Sequence, residues 1–384
     1  MGQRLKTDWI LFLTVLAMVC FGLVMVYSSS SLLAQLRYHY SDTYFFFRQL
    51  GWAVFSFAVL LYCMKQDYRR WNDPKYAFAG LGVVLLLLVA VYVTDGATHR
   101  WLHAGPFSLQ PSELAKPALA LFLAYFLCGR LASGNGSVND RHTLRPIAVS
   151  ICGIALAVAV ADLGTAVVLV AMTVTVIFVA GLELRYLAIC AALGAVLGGA
   201  FIAMKPYRLA RAIDFVDKNH TLLAQLDPDG HILGYAKQTA STSDPGYQQK
   251  QAKIAVGEGG FAGLGLMGSR QKLLYLPEAE TDFVYAVAAE ETGFLGAAFL
   301  VFGFVVVLWR GIRTYLHAAD DFGRYLALSV TVCVVVQALI NISVVLDLLP
   351  NKGIPLPFIS YGGSSLLSTL VLMGMLLSVS EQAG

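Results

Sequence analysis

The sequence predicts an all-α polytopic membrane protein of about ten transmembrane helices, with a large extracytoplasmic loop between helices 7 and 8. Three observations carry that reading. Of 384 residues, 58% are hydrophobic and only 13% charged, against roughly 45–50% and about 25% in soluble domains. The apolar residues fall in runs of about 20, the length that crosses a bilayer as a helix. The basic residues of the short connections also divide unequally between alternate sides. So little charge cannot cover a water-soluble globule, and the mean hydropathy of +0.67 agrees. A soluble enzyme and a disordered chain are excluded, and a net charge of +3 is too mild for a nucleic-acid binder.

The apolar runs are 9–28, 46–65, 76–94, 113–131, 144–160, 165–181, 184–204, 283–309, 324–347 and 359–379. The first is too long for a signal peptide and lacks a small-x-small cleavage site, so it counts as a retained span. Only Ala161-Asp162-Leu163-Gly164 separates the fifth from the sixth. One helix through both would be about 55 Å long at 1.5 Å per residue, so a tight hairpin is expected there. With the N-terminus inside, the cytoplasmic connections collect about 13 basic residues against about 5 in the short outer ones. Both termini are therefore expected in the cytoplasm. Residues 1–384 read as one membrane domain, with 205–280 as its outer loop. All six cysteines lie within the runs, as small apolar packing residues.

The polar chemistry gathers on the outer side. Lys205-Pro206-Tyr207-Arg208-Leu209-Ala210-Arg211 places three cations just past a helix end. Residues 216–247 have the composition of turns and linkers. A short amphipathic helix is expected within 248–276, followed by glycines that suit tight turns or close backbone approach to a ligand. Asp282 opens the eighth span, either as a helix cap favoured by the dipole or as a functional carboxylate. Glu290 and Glu291 lie two turns deeper, where a structural ion pair or buried hydrogen bond is the expected role. At the start of the fourth span Glu113 and Lys116, three apart, share a helix face. They are a local salt bridge or part of a site, and Pro117 frees a carbonyl near Glu113. Three prolines in 349–365 keep the chain irregular before the tenth span. Irregular backbone at membrane depth is tolerated where protein buries it or it lines a cavity, and a cavity opening outward is expected.

These residues carry a resemblance. Gly22-Leu23-Val24-Met25-Val26-Tyr27-Ser28, Gly105-Pro106-Phe107-Ser108-Leu109-Gln110-Pro111-Ser112-Glu113-Leu114-Ala115-Lys116, Asp162-Leu163-Gly164-Thr165-Ala166 and Pro206-Tyr207-Arg208 recur in one order. Arg270-Gln271-Lys272-Leu273, Leu276-Pro277-Glu278-Ala279-Glu280-Thr281-Asp282-Phe283 and the 349–365 stretch complete the set. Over about residues 8–378 the chain resembles the SEDS family of shape, elongation, division and sporulation proteins, which includes FtsW and RodA. Lys352-Gly353 and Ser364-Ser365 lean towards the division branch. Val160-Ala161 depart from the Gln-Pro or Glu-Pro usual before Asp-Leu-Gly in the family.

The resemblance implies a peptidoglycan glycosyltransferase of the bacterial cytoplasmic (inner) membrane, with its active site facing outward. It would polymerise lipid II with a class B penicillin-binding protein, alongside other divisome or elongasome membrane proteins. A donor α-linked to a polyprenyl diphosphate and a β-1,4 product require one inverting displacement. That step needs a carboxylate for the proton of the attacking 4-hydroxyl and positive charge on the departing diphosphate. Asp282 matches the aspartate on which the family's activity depends, with Glu113 and Lys116 as further catalytic candidates. Arg208, Arg211, Arg270 and Lys352 are candidates for the diphosphate, and Ser360, Tyr361, Gly362, Gly363 and Ser364 for the cavity lining. A divalent cation, Mg²⁺ or Mn²⁺, would sit on Glu113 or Asp282. Two other functions compete: a transporter that flips lipid II, which needs a polar path through the bilayer, and a non-catalytic scaffold that recruits the transpeptidase.

Overall fold

The computed structural model describes residues 7–95, 100–104, 107–131, 137–204, 209, 212–213, 215, 246–273 and 275–382. In chain order the helices are α1 (Trp9–Tyr38), α2 (Tyr44–Lys65), α3 (Pro74–Thr94), α4 (Pro111–Leu131), α5 (Arg141–Ala161) and α6 (Leu163–Val179). Then come α7 (Leu184–Ala203), α8 (Tyr247–Glu258), α9 (Val284–His317), α10 (Asp321–Val345) and α11 (Gly363–Gln382). A 3₁₀ turn, Tyr68–Trp71, precedes α3. Strands β1 (Leu102–Ala104) and β2 (Phe107–Leu109) pair antiparallel, His103 opposite Ser108. Eight helices, α1–α5 and α9–α11, are long and apolar enough to cross a membrane, and α6 and α7 are shorter apolar helices. The protein is a multi-pass membrane protein, and helices occupy all ten apolar runs of the sequence.

Aspartates start several helices: Asp8, Asp73, Asp162 and Asp320 each accept a backbone N–H from the first turn of α1, α3, α6 and α10. Asp162 ends α5 and caps α6 in the same residue. The expected hairpin is therefore one residue wide, and α5 and α6 pack against each other. The core is α4, α10 and α11, whose apolar stretches are 56%, 67% and 78% buried against 22% for α2 and α5. α7 buries none of its described side chains.

Two departures from the sequence reading matter. The first concerns α9, which is kinked at Gly293 (φ 66, ψ −163). The break strands backbone groups on both sides, and the glycine-rich turns after α8 satisfy them. Leu264 and Gly265 donate to the carbonyls of Glu290 and Glu291 at 3.0 Å, and Phe294 donates to the carbonyl of Gly260 at 2.9 Å. A Cβ on Gly259 or Gly263 would overlap the α9 backbone. The close approach for which these glycines exist is thus to the chain's own helix, not to a ligand. The second departure is the start of the last helix, at Gly363 instead of 359. Residues 346–362 are irregular, with Asp347 and Phe358 at φ 61 and 69. They run back along the mouth of the bundle.

Candidate active site

At that mouth lies a cavity of about 610 Å³. Its wall takes Arg48 and Trp52 from α2, Arg100 and Gln110 from either side of the β-hairpin, and Asp162 from the α5–α6 junction. Glu278, Thr281 and Asp282 close one side, and Lys352, Gly353 and Tyr361–Ser365 another.

Asp282 is half-buried and held by backbone from several directions. The Glu278 carbonyl, at φ 57 in the left-handed region, collects the N–H groups of Thr281, Asp282 and Phe283 at 3.1–3.2 Å. Asn341 of α10 donates to the Asp282 carbonyl at 2.8 Å. Ser360 donates to Thr281, and the Tyr361 N–H reaches the Glu280 carbonyl at 2.9 Å. Gly353 lies so close that a Cβ there would stand 2.5 Å from Asp282 Oδ2. Burial first, then the negative charge of Glu278, push the Asp282 carboxyl up to about 7; Arg100 opposes the rise and Asp162 and Glu280 add to it. A carboxyl poised there is protonated or ionised near neutrality, as a general base requires.

The facing wall is cationic. Arg100 donates to Asp162 at 3.3 Å, and its buried Nε has no hydrogen-bond partner among the described residues. Gln110 and Thr165 add bonds to Asp162 at 3.1 and 2.9 Å. Among the described residues the Asp162 carboxylate therefore accepts four hydrogen bonds, counting the Thr165 N–H. It fixes that wall while leaving part of the Arg100 guanidinium for a ligand. Arg48 donates to Ser108 at 3.4 Å and engages Tyr361.

Of the residues nominated from sequence, Asp282, Lys352, Tyr361, Gly362, Gly363 and Ser364 line this cavity. Ser360 is buried just behind it. Glu113 and Lys116 are each 1% exposed and do not line it. They pair at 2.7 Å one layer below the floor, and Lys116 also donates to Gln337 at 2.7 Å. The carbonyl that Pro117 frees on Glu113 is not an acceptor in the mouth, because Ser368 of α11 donates to it at 2.8 Å. Arg270 is exposed outside the cavity. Arg208, Arg211 and 216–245 lie outside the described residues. Glu290 and Glu291 are structural: Ser269 and the Arg270 N–H bind Glu290, while Lys272 at 2.7 Å and Ser28 at 2.6 Å bind Glu291.

Sequence reasoning missed Arg48, Arg100 and Glu278. Arg48 stands inside an apolar run, a position where an arginine is costly and therefore informative. Arg100 sits in a short polar stretch whose spacing carries no signal, and Glu278 stands in the 276–283 motif without a role of its own being assigned to it.

The fold and cavity define a multi-pass membrane protein with an ionic site at one end of its helical bundle. The chain belongs to the FtsW/RodA/SpoVE family, whose model, described as a cell cycle protein, matches residues 8–384. That bears out the resemblance read from the motifs. It is 37% identical to the probable peptidoglycan glycosyltransferase FtsW of Geobacter metallireducens, over 98% of this chain and 95% of the relative. It is 34% identical to the stage V sporulation protein E of Bacillus subtilis, over 99% and 98%. Among solved structures it is similar to a chain of a peptidoglycan synthase complex that coordinates polymerization and crosslinking, with TM-score 0.73, 26% identity and 98% of both chains covered. It is also similar to the rod shape determining protein RodA of Thermus thermophilus, with TM-score 0.67, 25% identity and 98% of both chains covered.

Proposed function

We propose that this protein is a peptidoglycan glycosyltransferase that polymerises lipid II into β-1,4 glycan in the bacterial cytoplasmic membrane. Both termini are cytoplasmic, the cavity faces outward, and a class B penicillin-binding protein and other division or elongation membrane proteins are its partners. The division branch is favoured by Lys352-Gly353 and Ser364-Ser365 and by relatives named FtsW. The observation that carries the reading is the sharing of one cavity by Asp282 with Arg48, Arg100 and Lys352.

In the reaction, the 4-hydroxyl oxygen of an acceptor sugar attacks the anomeric carbon that bears the diphosphate. Its proton passes to Asp282 as the new C–O bond forms. The bond from that carbon to the diphosphate oxygen breaks, and the polyprenyl diphosphate leaves with the electron pair. Arg100, Arg48 and Lys352 balance the leaving charge, which grows in the transition state and so contributes to rate. Arg270, exposed outside the cavity, is left for the lipid headgroup, while Arg208 and Arg211 stay candidates for the diphosphate on the motif resemblance alone. Glu113 and Lys116 support the site from behind.

Magnesium or manganese fits Asp282 better than Glu113. Asp282 and Glu278 face the cavity as mutually repelling carboxylates, whereas Glu113 holds an ammonium at 2.7 Å. Among the described residues no three carboxylate, histidine or cysteine groups gather to hold a metal alone. Asp282 with Glu278 would hold the ion only together with substrate phosphate oxygens, the usual Mg²⁺ arrangement. When bound, it adds positive charge at the diphosphate.

The test is polymerisation of purified lipid II by the protein with its penicillin-binding partner, with and without Mg²⁺ or Mn²⁺, beside a folded Asp282→Asn variant. Glycan from wild type and none from the variant is expected. Equal polymer from both would remove Asp282 as base. No polymer from a well-folded wild-type complex would return the function to lipid II transport or scaffolding.

A further inference from the structure

Behind the cavity floor runs a chain of buried polar groups for which the reaction has no direct use. Gln337 and Asn341 stand four apart on α10, so their side chains share one face; each is 2% exposed. The Asn341 amide donates twice, to the Asp282 carbonyl at 2.8 Å and to the Ile354 carbonyl at 2.7 Å. One NH₂ group therefore bridges the segment that carries the base and the segment that forms the floor. The Gln337 amide donates to the next floor carbonyl, Pro355, at 2.8 Å. Its oxygen accepts from Lys116 at 2.7 Å, and Lys116 is held in turn by Glu113.

Each link follows from the one before. Pro355 and Pro357 have no N–H, so the floor cannot enter a helix or sheet ladder, and its carbonyls need donors from elsewhere. Gln337 and Asn341 are those donors. An amide can flip, which would put oxygen against oxygen. The Lys116 ammonium prevents this at Gln337, because it tolerates only the oxygen. A buried ion pair is a weak source of stability but a recognised source of specificity. Here what it specifies is the direction of one amide.

We propose that Asn341 and Gln337 are positioning residues for the glycosyl transfer, and that the Glu113–Lys116 pair sets the orientation of Gln337. Together they hold Asp282 and residues 353–355 in register across the cavity. None of the four touches substrate. Their effect is on the placement of Asp282, and so on turnover more than on binding. The inference rests on the glycosyltransferase reading and on Asp282 as its base.

The test compares wild type, Asp282→Asn, Asn341→Leu and Gln337→Met in complex with the penicillin-binding partner. Rates are expressed per folded enzyme over a range of lipid II concentrations. A misplacement near 1 Å costs on the order of 10²-fold. Asn341→Leu is expected to lose about that in kcat with KM changed less than about threefold, and Gln337→Met about tenfold. A merely structural role would lower the melting temperature and leave kcat of the folded fraction unchanged; that result overturns the proposal. A rise in KM at constant kcat also overturns it, by making these residues part of substrate binding. Should Asn341→Leu fail to fold, the double variant Glu113→Gln/Lys116→Met decides. It removes both buried charges together, so no lone charge is left. Retained melting temperature with kcat down about tenfold supports the relay, and full kcat refutes it. Wild-type polymerisation abolished by Asp282→Asn but untouched by the α10 variants sinks this inference alone. Absence of polymer from wild type sinks the glycosyltransferase reading and this inference with it.

Discussion

The strongest constraint on the chemistry is the protonation of Asp282, because its environment fixes a pH dependence with a definite sign. Its carboxyl is pushed from 3.8 up to about 7. Three pH units at 1.36 kcal/mol each make about 4 kcal/mol against the ionised form, an upper bound because the group is partly exposed. A base must be ionised, so without a bound divalent cation, whose charge would draw the inflection down, the initial polymerisation rate should rise tenfold per pH unit below about 7 and level above it. The assay is the rate of glycan formation from labelled lipid II between pH 5 and 9, with the complex checked for folding at each pH. Two variants test the cause. Glu278→Gln removes the largest charge that raises the value and should move the inflection down, though only in part, since burial stands first. Arg100→Gln removes the opposing charge and should move it up. Stability has the reverse sign. The folded protein holds a proton that the unfolded chain releases, so the stabilisation from this group is complete below pH 3.8 and is lost as pH rises through about 7. Asp282→Asn should therefore be more heat-stable than wild type at pH 8. A rate flat from pH 5 to 8, or an inflection near 4, would refute the placement of this carboxylate in a desolvated, negatively charged corner.

Gly353→Ala introduces a methyl 2.5 Å from Asp282 Oδ2, and the flexible carboxylate must yield. A loss of turnover on the order of 10²-fold with an unchanged melting temperature is expected; wild-type turnover would show that Asp282 does not work from its present position. Lys272→Met leaves Glu291 buried without its cation, since the two side chains are 4% and 0% exposed. A loss of about 3–5 kcal/mol is expected, measured by thermal unfolding in detergent. The double variant Lys272→Met/Glu291→Gln should recover most of it. A single variant as stable as the double would mean that the pair is not coupled.

Span positions were legible in the sequence because the bilayer reads only length and hydropathy, and helices formed where apolar runs reached about 20 residues. Asp282 and the 349–365 stretch were legible for a related reason: carboxylate and proline at a membrane mouth are costly unless used. Burial was not legible. Glu113 and Lys116 have the spacing of a surface pair, and nothing local says that α10 and α11 close over them. Arg100 joins the site only through the fold. Arg100 follows α3, Asp162 lies between α5 and α6, and their contact at 3.3 Å spans 62 residues. The kink at Gly293 was equally hidden, since a glycine within an apolar run is ordinary in membrane helices.

The hidden features share a physical origin. Each break in regular backbone around the cavity exposes groups that lipid cannot satisfy, and each is answered from a distant part of the chain. Pro117 frees the Glu113 carbonyl, and Ser368 takes it. Gly293 interrupts α9, and the turns at 260–265 complete it. Pro355 and Pro357 deprive the floor of donors, and Gln337 and Asn341 supply them. Breaks are needed here because a straight helix cannot present Asp282, Gly353 and Tyr361 to one volume. Once made, they couple the motifs pairwise. A substitution at one break therefore acts on its partner's segment, and the partner's variant should not add to it. Ser368→Ala combined with Pro117→Ala tests this: Pro117→Ala restores a donor for the Glu113 carbonyl and should offset most of the stability lost in Ser368→Ala alone. Independent, additive losses would mean that the breaks are separate accommodations and not the paired construction of one site.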